Sequence, residues 1–81
     1  MTWYIYILRC RDNTLYTGIT TDVARRVGEH NNGAGAKYTK PRRPVTLVYQ
    51  EIAKNRSAAL KREWAIKHLS KQEKYATIDS C

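Results

Sequence analysis

The chain has 81 residues, with 15 Lys and Arg against 7 Asp and Glu and a formal net charge of +8. This length implies one domain, and no apolar run is long enough to span a bilayer. The positive balance suits a polyanionic partner, with nucleic acid ahead of membrane. Cys10 and Cys81 show no metal-type spacing, so a reduced cytoplasmic setting is expected. Six tyrosines and two tryptophans stand beside no phenylalanine, so tyrosine must do much of the packing and its buried hydroxyls need partners.

Trp3-Tyr4-Ile5-Tyr6-Ile7-Leu8 is dense in β-branched and aromatic residues and predicts a strand, central because it is apolar on both faces. Asp12-Asn13 predicts a turn into a second strand, Thr14 to Gly18. Thr20, Thr21 and Asp22 are N-cap candidates for a helix in which Val23, Arg26, Val27 and His30 share one face. Asn31 to Gly35 tolerates left-handed backbone and ends that helix, and Ala36 to Pro44 reads as a loop. Val45 to Tyr49 predicts a third strand, and Glu51 to Arg56 an approach to a second helix, Ala58 to Leu69, capped by Ser57. Ser70 caps a last helix, Lys71 to Ile78. The order β-β-α-β-α-α predicts an α+β domain with helices packed against a small antiparallel sheet.

Polar residues interrupt this apolar pattern. Arg26 and His30 lie on the helix face that should meet the sheet, where an unpartnered guanidinium would cost several kcal/mol, so Arg26 is expected to be at least half exposed or matched. Both could equally snorkel at the rim. Ala59, Leu60, Trp64 and Ile66 mark the apolar arc of the second long helix, and Glu63 projects inside it. Glu63 could instead pair with Lys67 one turn on. Tyr4 and Tyr6 share one face of the first strand, Tyr16 lies on its hairpin partner, and Gly18 follows on the same face, where a missing side chain permits close approach.

Together these residues supply the parts that phosphodiester hydrolysis requires. One carboxylate, Glu63, with waters suits a hydrated magnesium ion. A guanidinium, Arg26, suits phosphoryl oxygens. Tyr6, Tyr16 and His30 could position or deprotonate water. Tyrosine is an awkward base, with a reference pKa of about 10. Whether a phenolate or His30 takes the proton stays open at this point.

The same residues resemble the motifs of the GIY-YIG nuclease family. Tyr4-Ile5-Tyr6 corresponds to the first motif and Tyr16-Thr17-Gly18 to the second. Arg26 follows Gly18 at the family spacing, His30 lies one turn further along, and Glu63 in Ala59-Leu60-Lys61-Arg62-Glu63-Trp64 matches the metal-binding glutamate. The resemblance runs from about Trp3 to Lys74 and is greatest to the small bacterial proteins consisting of this domain alone. They share the stretches Gly35-Ala36-Lys37-Tyr38-Thr39 and Arg42-Arg43-Pro44-Val45. It implies a three-stranded antiparallel sheet with flanking helices. It also implies one Mg2+ or Mn2+ held by Glu63, with Tyr6, Tyr16, Arg26 and His30 around a phosphate. Tyr4 departs from the motif's first glycine and Thr17 from its middle isoleucine. The asparagine found near the end of many family nucleases has no evident counterpart here, and no separate DNA-binding domain is expected within these 81 residues.

Lys37, Tyr38, Lys40, Arg42 and Arg43 follow a glycine-rich turn and form a candidate nucleic-acid-binding loop, with Tyr38 available for base stacking. Lys61, Arg62, Lys67, Lys71 and Lys74 read as an exposed helical face. The resulting expectation is a metal-dependent DNA endonuclease that recognises structure rather than sequence, with DNA ahead of RNA. The alternatives are a nucleic-acid-binding module with a vestigial or partner-dependent site, and a protein-binding adaptor.

Overall fold

A computed structural model describes residues 1–79, so Cys81 lies outside the described residues. The elements are β1 (Trp3–Arg9), β2 (Leu15–Thr20), α1 (Val23–Asn31), a 3-10 turn at Lys40–Arg42, β3 (Thr46–Ala53), α2 (Arg56–Lys67) and α3 (Lys71–Asp79). The sheet is antiparallel in the order β2-β1-β3, which places the doubly apolar strand in the centre as its composition requires.

The alternation along β1 sorts two layers. Ile5 and Ile7 face α2 and α3, packing with Ala53, Ala59 and Ile66 and flanked by Trp3, Leu15, Ile19 and Ile78. Tyr6 and Leu8 face α1, packing with Cys10 and Val45 beside Tyr16, Val23 and Val27. Ile5, Ile7 and Leu8 are fully buried, and each such side chain contributes roughly 1.5–3 kcal/mol of hydrophobic stabilisation.

Local chemistry sets the boundaries. Asp12 Oδ1 accepts from the backbone N–H and hydroxyl of Thr14 while Asn13 takes a left-handed φ of 67°, which makes the turn between β1 and β2. Asp22 caps α1 by accepting from Arg25 N–H, and Gly33 at φ 83° closes the segment after it. At the end of α1 the Asn31 amide accepts from Val45 N–H at 2.7 Å and donates to Val45 C=O at 3.1 Å. That two-point clasp leads the chain into β3. Ser70 and Glu73 form a reciprocal capping box at α3.

Three expectations need correction. Strand β3 runs to Ala53 rather than ending at Tyr49, because Glu51 is not solvated away from the sheet: it accepts from Arg62 Nε and from the Tyr49 hydroxyl. The cap of α2 is Asn55, whose Oδ1 accepts from Ala58 N–H at 2.8 Å, not Ser57, so the helix starts earlier at Arg56. Trp64 is not core. It is 65% exposed, while Ala59 and Ile66 carry the buried stripe and Leu60 sits at the margin.

Thr17 pairs with Ile7 in the α2 layer, and its buried hydroxyl has no hydrogen-bond partner among the described residues. An unsatisfied buried hydroxyl costs about 1–3 kcal/mol. Thr17→Val keeps the shape and removes that cost. Chemical denaturation should show the variant about 1–2 kcal/mol more stable than wild type; a loss of stability would mean the hydroxyl is satisfied in solution.

Candidate active site

Gly18 is the β2 residue that pairs with Tyr6 across the ladder. A Cβ at Gly18 would lie 2.5 Å from the Tyr6 hydroxyl oxygen, so the phenol ring crosses directly over this glycine. The close approach expected at Gly18 is therefore filled by a side chain of the protein itself. Strand β2 is an edge strand, so the Tyr6 hydroxyl is carried to the margin of the sheet.

That hydroxyl ends 3.0 Å from His30 Nε2. On the far side of the imidazole, Nδ1 lies 2.7 Å from Thr39 Oγ1. Thr39 has a single hydroxyl proton, which it donates to Ala36 C=O at 3.0 Å. With that proton so placed its oxygen accepts from Nδ1–H, the tautomer in which Nε2 is bare and accepts the Tyr6 proton. Tyr6, His30 and Thr39 are each 1% exposed or less. Gly35 makes the packing possible, because a Cβ there would run into His30 Nδ1.

Charges from both layers act on this phenol. Burial pushes the Tyr6 pKa up, hydrogen bonding and charge from Arg26 oppose it, and Tyr16 and, least, the Glu63 carboxylate add to the rise. The two helices that carry Arg26 and Glu63 pack on opposite faces of the sheet, and both side chains bear on one hydroxyl at its edge. Burial holds His30 below the ordinary imidazole range, with the Arg26 charge adding and Glu29 opposing. The resting pair is accordingly a neutral phenol and a neutral imidazole.

Arg26 is matched as well as part-exposed: NH1 lies 3.0 Å from Glu29 Oε1, and 31% of its side chain is accessible. Glu63 sits 3.3 Å from Lys67 Nζ with 18% of its own side chain accessible, so the helical pair and the inward position coexist. Tyr16 lies against His30 with ring centroids 5.2 Å apart and against Tyr6 at 6.5 Å, forming a half-buried wall. Tyr6, Tyr16 and His30 thus form one cluster by hydrogen bond and ring contact, with the Arg26 charge acting on both Tyr6 and His30, while the direct partner of Glu63 is Lys67.

The basic loop is more constrained than its composition suggests. Tyr38 stacks on Tyr16, and Arg42 lies over the Tyr38 ring at 4.0 Å. Arg42 also donates to Asp12 and to Tyr38 C=O, while Arg43 donates to Lys40 C=O and Asn31 C=O. Both guanidiniums therefore hold the loop in shape. Lys37, Lys40 and Arg43 are exposed and have no ion-pair partner among the described residues, and of the three Arg43 is tied to backbone carbonyls.

The GIY-YIG catalytic domain family matches residues 2–76 of this sequence. The chain belongs to the GIY-YIG family. Among its relatives is a UPF0213 protein of Staphylococcus haemolyticus, 55% identical over 76 residues, an alignment that covers 94% of this chain and 93% of the relative. A UPF0213 protein of Desulfotalea psychrophila is 60% identical over 77 residues, covering 94% and 70%. The solution NMR structure of a UPF0213 protein from Bacillus halodurans superposes with a TM-score of 0.63 at 43% identity, covering 98% of this chain and 84% of that one. A second NMR structure, of an E. faecalis protein, gives 0.64 at 44% identity, covering 95% and 83%. The three-stranded antiparallel α+β architecture is thus that of the GIY-YIG domain in its small bacterial UPF0213 form.

Sequence reasoning missed Thr39, Gly35 and Glu29. Gly35 and Thr39 fall in a stretch whose resemblance to the small bacterial group is evident, but nothing in their residue types ties them to a histidine on a preceding helix. Glu29 carried a signal, standing three residues after Arg26 on the same helix.

The depressed His30 pKa links the site to stability. In the unfolded chain this ring takes up a proton as the pH falls through about 6.5, whereas the buried ring resists until lower pH. The unfolded state therefore binds more protons in that interval, and stability is full above about pH 6.5 and declines below it. Asp12 and Glu73, held below the ordinary carboxylate range, titrate in a more acidic interval. Denaturation midpoints measured from pH 8 to pH 5 should fall below about pH 6.5 in wild type and flatten in His30→Gln. Matching slopes in the two proteins would contradict a buried neutral imidazole.

Proposed function

We propose that this GIY-YIG domain is a metal-dependent nuclease that hydrolyses phosphodiester bonds in DNA by structure rather than by base sequence. The observation that supports it best is the buried Tyr6 hydroxyl lying 3.0 Å from His30 Nε2, with the Tyr16 ring packed against both. The Tyr6 oxygen has lone pairs left to accept a proton from an attacking water. The tyrosine proton passes in turn to His30 Nε2, so no free phenolate forms. A new P–O bond forms from the water oxygen as the bond to the leaving oxygen breaks. Arg26 offsets charge on the phosphoryl oxygens.

No group of three or more His, Cys, Asp or Glu side chains able to hold a metal occurs among the described residues. The donor set is one carboxylate, Glu63, which would hold a Mg2+ or Mn2+ ion that keeps most of its waters. Such an ion would supply charge neutralisation at the scissile phosphate. Glu63 would exchange its 3.3 Å contact with Lys67 for the ion.

The second reading is a module that binds nucleic acid without cutting it, with DNA again ahead of RNA. The Glu63–Lys67 pair favours it, because it occupies the one candidate metal-binding carboxylate. Purified protein incubated with supercoiled, branched and single-stranded DNA in Mg2+ or Mn2+ separates the two. Cleavage should disappear with chelator and fall by about 100-fold or more in Glu63→Ala and in Arg26→Ala. Cutting at the wild-type rate by both variants contradicts the nuclease; retardation without cutting by wild type supports the binder.

A further inference from the structure

The exposed Trp64 has no account in the core or in the chemistry just described. Its four helical neighbours on α2 are Leu60 and Lys61 on one side and Lys67 and His68 on the other, at the spacings that put side chains next to one another on a helix surface. All four are exposed. Trp64 itself is 65% exposed, a large apolar surface that a small domain would ordinarily cover.

The ring is held in place. The His68 imidazole stacks on it with centroids 4.0 Å apart and planes at 30°, and His68 Nδ1 hydrogen-bonds to Trp64 C=O at 2.7 Å. One indole face is thus covered by an imidazole that is itself tied to the backbone, and the other meets solvent. A rigid aromatic surface loses little freedom on binding a flat partner.

The surroundings define that partner. Lys61 and Lys67 flank the indole, and the chain as a whole carries +8. Lys67 also lies 3.3 Å from Glu63, so the patch is continuous with the candidate active site through a single side chain. A ligand that is flat, apolar on its faces and attached to negative charges at regular spacing is an unpaired nucleotide in a strand. A fully paired duplex offers no free base face to such a ring.

We propose that Trp64, backed by His68 and flanked by Lys61 and Lys67, is a stacking platform for an unpaired nucleobase next to the Glu63 end of the site. The inference rests on the reading of that site as one that handles nucleic-acid strands, and it gives structure selectivity a physical source. A substrate with an unpaired base beside the cut engages both the platform and the site, and a continuous duplex engages only the site.

The test uses binding alone, with chelator present and no divalent metal, so it is independent of cleavage. Fluorescence anisotropy compares the full chain on a labelled single-stranded oligonucleotide and on an abasic strand of the same length and charge. Trp64→Ala should weaken binding of the base-bearing strand about 5- to 100-fold, the range expected for one base–aromatic stack, and shift the abasic strand by less than about twofold. Trp64→Phe should recover most of the affinity. Trp64 is exposed, so both variants should keep the wild-type denaturation midpoint. Equal losses on the two strands, or no loss on either, would overturn the platform while leaving the nuclease reading intact. Failure of wild type to bind either strand would likewise overturn the platform, while the nuclease reading is decided separately by the cleavage assay.

Discussion

The contact on which the site depends is the Tyr6 ring lying across Gly18. A side chain at position 18 and a phenol at position 6 cannot occupy the same space, so the glycine is where the hydroxyl gets its reach to the sheet margin. From there it meets His30 on α1, and His30 is fixed in turn by Thr39 from the loop that follows and by the bare backbone of Gly35. Four segments distant in sequence are thereby held by two short hydrogen bonds and two missing methyl groups.

This constraint explains why the site can be electrostatically mixed without being unstable. A guanidinium and a carboxylate on helices of opposite layers would be costly to bury together. Placed at the edge of β2 they remain part-exposed and separately paired, Arg26 with Glu29 and Glu63 with Lys67. The neutral members, Tyr6 and His30, are the ones that are fully buried. Desolvation disfavours the charged form of each, which keeps the resting hydrogen bond between two uncharged groups and preserves a direction for proton movement.

Much of this was legible in the sequence, and the reasons differ by element. Strand β1 declared its central place through apolar residues on both faces, and α1 declared its start through Asp22. Arg26, His30 and Glu63 stood out because each broke an apolar pattern, and Tyr6 and Tyr16 because they sit on paired strands beside Gly18. The length of β3 was not legible, since its last residues include a glutamate whose partners, Arg62 and Tyr49, come from elsewhere in the fold and from the strand itself. The exposure of Trp64 was equally hidden. A tryptophan beside Leu60 and Ile66 looks like core by type and spacing, and only the position of the sheet shows that Ala59 and Ile66 face inward. Arg42 and Arg43 looked like free cations because their backbone carbonyl partners leave no trace in residue type and the Asp12 that pairs with Arg42 lies 30 residues away in the chain.

The account stands on the direction of the Tyr6–His30 hydrogen bond, which the Thr39 contact determines. Long-range proton–nitrogen correlation spectra of the labelled protein report which imidazole nitrogen carries the proton. The proton route calls for His30 to be neutral near pH 7 with its proton on Nδ1 and a bare Nε2 facing the phenol. A proton on Nε2, or an imidazolium at that pH, would mean that His30 donates to Tyr6 rather than accepting from it, and the proton route drawn here would be wrong.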